Sequence, residues 1–109
     1  LDTRDGTGGA GGLVGAGATR SVQITGRGGV PSSGARAVIL NATVTGTGAA
    51  GYLTVFPSGT SRPTASDLNF AAGDTRANLV VAKLSSGGQL TIFSSAATHV
   101  IFDVAGWIS

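Results

Sequence analysis

The sequence predicts an all-β domain: a β-sandwich, jelly-roll or immunoglobulin-like, of about seven to eight short antiparallel strands. Three observations carry this. Short runs alternate apolar and polar residues with period two, and Gly, Pro and Ser break them at intervals of about ten residues. The 109 residues include no glutamate and one lysine, Lys83, although these residues normally furnish helix surfaces. Two pairs of segments also echo one another. Val38-Ile-Leu-Asn41 is matched by Val100-Ile-Phe-Asp103, and Gly51-Tyr-Leu-Thr-Val-Phe56 by Gly88-Gln-Leu-Thr-Ile-Phe93. The echo predicts two related hairpins; a β-trefoil would need a third unit, and none is found.

Taken in order, Leu1 to Gly6 is a short lead into the Gly-rich stretch Thr7 to Gly17, expected as a surface loop because it has little side-chain volume to pack. Ser21 to Thr25 alternates and predicts the first strand, stopped by Gly26, Gly28, Gly29 and Pro31. Arg36 to Thr45 predicts the second, with Val38, Leu40, Ala42 and Val44 on the core face and Ile39, Asn41, Thr43 and Thr45 on the other. Tyr52 to Phe56 follows the turn Gly46 to Gly51 and ends at Pro57-Ser-Gly59. Asp67 to Phe70 is a short strand, Gly73-Asp74 turns it, and Arg76 to Leu84 is the next. Ser85-Ser-Gly-Gly88 predicts a hairpin turn into Gln89 to Phe93, since paired glycines supply positive φ. Thr98 to Val104 is the last strand.

Composition excludes several classes. A chain of this length is one domain with one core, residues 1–109. Without cysteine there is no disulfide framework or thiolate metal site. The net charge is +2 and the six arginines are scattered, whereas a nucleic-acid face needs a basic patch or stripe, so no nucleic-acid partner is expected. No apolar run approaches the roughly 18 residues of a membrane span, so no membrane insertion is expected. With charged residues at 11%, solubility rests on Ser, Thr and Gly, a habit of secreted β domains. Because it opens at Leu1 without methionine, the chain is expected to be a piece of a longer extracellular or cell-surface protein.

The residues that could carry chemistry are few. Gly6-Thr-Gly-Gly-Ala-Gly11 fits G-x-G-x-x-G, but no strand precedes it and no helix follows, so it gives no dinucleotide site. His99 and Asp103 share a strand face about 13 Å apart, too far for a base and its orienting acid. The five aspartates look like turn caps and arginine partners rather than a glycosidase pair or a calcium cluster. No catalytic residue, metal or cofactor is therefore expected. Asn41 and Asp103 occupy equivalent points of the echoed strands, each beside an isoleucine. They are expected to be hydrogen-bonded structure or, alternatively, the polar floor of a groove. Tyr52 and Trp107 are the aromatic rings expected to be exposed, positioned to stack on a sugar face.

Leu1-Asp-Thr-Arg-Asp-Gly6, Gly26-Arg-Gly-Gly-Val-Pro31, Leu40-Asn-Ala-Thr-Val-Thr45, Gly51-Tyr-Leu-Thr-Val-Phe-Pro57, Leu68-Asn-Phe-Ala-Ala-Gly73, Ala77-Asn-Leu-Val80 and Asp103-Val-Ala-Gly-Trp107 together resemble a domain common in secreted and surface proteins of actinobacteria. The resemblance covers nearly the whole chain and implies a non-catalytic accessory module. It also implies, for some relatives, a cysteine pair where this chain has Ser58 and Thr91. Relatives usually end in Gly-Tyr-Phe where this chain has Gly106-Trp-Ile108. The expected function is carbohydrate binding to a polysaccharide or cell-envelope glycan through Trp107, Tyr52, Asn41 and Asp103. The alternative is a structural or protein-contact domain that meets neighbouring domains of the same protein, and a small hydrolase ranks behind both. Rings aligned on one open face would favour glycan, whereas an apolar patch around Ile39 and Ile101 would favour a protein interface.

Overall fold

The computed structural model describes residues 1–8 and 11–109. Its strands are β1 (Ala18–Gln23), β2 (Ala37–Thr45), β3 (Gly51–Pro57), β4 (Leu68–Phe70), β5 (Arg76–Lys83), β6 (Gln89–Ser94) and β7 (His99–Ile108). They form two antiparallel sheets, one in the order β1-β6-β3-β4 and the other β5-β2-β7. This is a β-sandwich, and each sheet buries one face against the other. The alternation of β2 works as its sequence demands: Val38, Leu40, Ala42 and Val44 are fully buried. They meet Val22, Leu53, Leu90 and Ile92 of the opposite sheet in one core, with Val100 and Phe102 beside them on β7.

Three expectations are corrected. The echoed segments are not two hairpins, because each pairs with its own echo. β2 lies against β7, with Asn41 opposite Asp103, and β3 lies against β6, with Val55 opposite Ile92. Ser85 to Gly88 does not make a hairpin either, since β5 and β6 belong to different sheets. The segment is an arch that carries the chain across the core, with Leu84 and Leu90 buried on either side of it. Gly88 is obligatory there: its φ is +74°, and a Cβ would fall 2.0 Å from Thr25 Oγ1.

The third correction concerns the Gly-rich lead. Val14 is only 1% exposed and joins the core, while its amide and carbonyl bond Thr98. Small neighbours let the backbone come close enough to seat that one side chain. Further upstream, Leu1–Thr3 runs along the outer edge of β7: Phe102 N–H donates to the Leu1 carbonyl and Thr3 N–H to the Val100 carbonyl. Residues 9 and 10 of the G-x-G-x-x-G stretch lie outside the described residues.

Candidate functional site

Alternation sets the outer face of the three-stranded sheet. Cross-strand partners share a face, so three columns of outward residues can be read from the register. Leu79, Asn41 and Asp103 form one row, followed by Val81, Ile39 and Gly106, then Lys83, Ala37 and Ile108; on the other side stand Ala77, Thr43 and Ile101. Leu79 and Val81 are 60% and 62% exposed, and Ile108 is 47% exposed. Ile39 is half-buried between them, and Ile101 is half-buried beyond the Asn41–Asp103 pair. The face is apolar apart from Thr43 and the Asn41–Asp103 pair next to it, and Lys83 at one corner.

The structure unites only two of the four residues expected to bind sugar. Asn41 and Asp103 stand directly opposite one another. Neither side chain makes a hydrogen bond among the described residues, although hydrogen-bonded structure was the leading expectation for both. Trp107 is elsewhere. A register shift between Ile39 and Leu40 leaves Ala105 as an extra residue, and Trp107 then falls opposite Val38, on the other face of the sheet. It is 47% exposed there.

Tyr52 belongs to the other sheet and is half-buried, its ring tilted 39° against Phe93 at 5.8 Å between centroids. The Arg62 guanidinium lies 3.7 Å from the centre of the Phe93 ring, a cation–π contact. Phe56 and Phe93 sit on the outer side of their sheet, because Leu90 and Ile92 take the inner positions. They are buried nevertheless, and the following loop folds back over this side, its Ala65 carbonyl accepting from Thr54 Oγ1. This aromatic–arginine cluster could not be read from the sequence, since β4, β5 and most of β6 separate Arg62 from Phe93.

The other carboxylates are committed to the fold. Asp67 accepts the Val55 N–H at 2.7 Å, and Asp74 accepts the Ala71 N–H and pairs with Arg76 at 2.8 Å. Asp5 accepts the Thr7 N–H, and hydrogen bonding from Thr7 holds its carboxyl below the ordinary value. Asp2 accepts Arg4 Nη2 at 2.7 Å along with the Arg4 Nε and backbone N–H. Those bonds from Arg4 lower its pKa to about 2. His99 Nδ1 sits 3.0 Å from Thr3 Oγ1, which also accepts the Val100 N–H. Among the described residues, no three His or Asp side chains gather as a metal-binding set.

Asp2 supplies a pH prediction. Its pKa is depressed on folding, so its contribution is complete above the unfolded carboxylate value, near 3.8, and is lost as pH falls through about 2. An Asp2→Asn variant should therefore melt below the parent at neutral pH and converge with it as pH approaches 2. Carbon-detected titration of the Asp2 carboxyl should place the midpoint near 2; a midpoint near the ordinary value would show that the Arg4 contact does not form in solution.

A crevice of about 300 Å³ opens between the end of β1 and the middle of β7. Val22, Ile24, Phe102, Val104 and Leu1 line it, with Arg27 among its polar residues. The Arg27 Nη1 donates to the Gly8 carbonyl. Compared with family models and with curated proteins, the chain matches none.

Proposed function

We propose that the domain is a non-catalytic extracellular or surface accessory module that works by protein contact, through the outer face of the β5-β2-β7 sheet. The observation behind this reading is the apolar surface formed by Leu79, Val81, Ile39 and Ile108, with Ile101 beyond the Asn41–Asp103 pair. A contiguous apolar surface of this kind is characteristic of interaction sites. Four rows along the strands and three strands across give an area on the order of 400 Å², about half of what each partner buries in a stable free-standing complex. That size suits a neighbouring domain held close by the chain, where effective concentration makes up for a small contact. Commitment of Asp2, Asp5, Asp67 and Asp74 to backbone and arginine partners supports a module without catalysis.

In the absence of its partner, such a face should self-associate weakly. Amide shifts in a dilution series should move at Leu79, Val81, Ile39 and Ile108, and the Leu79→Lys/Val81→Lys double variant should abolish the movement without lowering the melting temperature. A glycan role is the second reading, and the exposed ring of Trp107 favours it. Retention on insoluble cell-wall or plant polysaccharide that is lost in Trp107→Ala, with no self-association at any concentration, would transfer the assignment to glycan.

A further inference from the structure

We propose that β5 pairs edge to edge with β5 of a second copy of this chain, antiparallel about a twofold axis, joining the two β5-β2-β7 sheets into one; this rests on the protein-contact reading of that sheet and names its partner. The Leu84 N–H donates to the Arg36 carbonyl at 2.8 Å, and backbone groups alternate in direction along a strand. Val80 and Ala82 therefore bond β2, whereas Ala77, Leu79, Val81 and Lys83 turn their N–H and carbonyl groups the other way. Among the described residues nothing takes them. The other sheet edges are each guarded. β4 is three residues long, Arg20 holds the Gly12 and Leu13 carbonyls beside β1, and β7 carries Leu1–Thr3 and the extra residue Ala105. β5 runs for eight residues in unbroken register with β2, without proline, and its outward Leu79 and Val81 are more than half exposed. An edge that long and apolar is a template for another strand.

The strand is its own complement. With the axis through Val80, Leu79 of one copy stands opposite Val81 of the other, and Ala77 stands opposite Lys83. Apolar residues meet at the centre, and no cation opposes a cation. Lys83 faces an alanine, while Arg76, opposite Leu84, is already paired with Asp74 at 2.8 Å. The residues that face the edge exchange about eight backbone hydrogen bonds between the two copies, two for each opposed pair. Each of those bonds uses a group that β5 does not give to β2, so nothing in the fold has to open.

Sedimentation of the full chain should show a monomer–dimer equilibrium. Amide exchange at Leu79 and Val81 should slow in proportion to the loss of monomer, about tenfold when about nine copies in ten are paired. Val81→Pro removes an edge N–H that the β2 ladder does not use, and should leave a monomer that melts within a few degrees of the dilute parent. Dimers whose Leu79 and Val81 amides exchange as in the monomer would overturn the edge pairing and leave the contact to the outer face of the sheet. A chain that stays monomeric at about 1 mM would overturn it without touching a contact made to a neighbouring domain.

Discussion

Replacing Phe102 with alanine should destabilise the domain by about 3 to 5 kcal/mol, the range for truncating a buried aromatic ring. Phe102 is 4% exposed, lies opposite Ala42 in the β2–β7 pair and packs into the shared core. Its small partner across the strand, Ala42, cannot fill the void. The same residue holds Leu1 through two backbone bonds, so a shift of β7 also loosens the amino-terminal clasp. At about 4 to 8 °C per kcal/mol for a domain of this size, the melting temperature should fall by more than about 12 °C. Ile101→Ala, one residue away on the outer face, should cost far less. Urea unfolding of the two variants measures the difference, and comparable losses would mean that the faces of β7 are not distinguished in solution.

Introducing cysteines at Ser58 and Thr91 should produce a disulfide. Their hydroxyl oxygens are 2.9 Å apart and hydrogen-bonded, where Phe56 and Thr91 stand opposite each other across β3 and β6. A bridge between positions separated by 33 residues closes off a loop containing β4 and β5, which corresponds to about 3 to 4 kcal/mol in the chain-entropy model. The oxidised variant should lose two hydrogens by mass and melt well above the parent, and reductant should remove the gain. Persistence of free thiols under oxidising conditions would show that the β-carbons are too far apart or wrongly aimed.

The fold was legible wherever one face of a strand is apolar and the other polar. In β2 the alternation named every core residue. In β5, Leu79-Val-Val-Ala82 is apolar on both faces, so the run announced a strand without saying which side faces outward, and the exposure of Leu79 and Val81 went unread. Turn chemistry showed that the chain reverses at Ser85 to Gly88, but not whether the flanking strands share a sheet, because hairpins and arches use the same glycines. The echoes were visible, yet likeness between two segments is equally compatible with repetition along the chain and with pairing across a sheet. Trp107 was found as an exposed ring and assigned with Asn41 and Asp103, from which the extra residue at Ala105 separates it. Gly106, a residue that often marks such irregularities, was the only hint.

Strand order has a consequence in time. Among the described residues, β3 and β4 are the only consecutive strands that pair; β1 must find β6, β2 must find β5 and β7, and Leu1–Thr3 must find β7. Nearly every ladder therefore closes a long loop before it is rewarded, the situation that places all-β sandwiches among slow folders, in milliseconds to seconds rather than microseconds. During that interval the β2 segment, apolar on one face and edged by Ile39, waits unpaired for β5 and β7, which are synthesised after it. A nascent chain of this protein is thus exposed to wrong pairing until β7 has emerged and closed on both β2 and the first three residues.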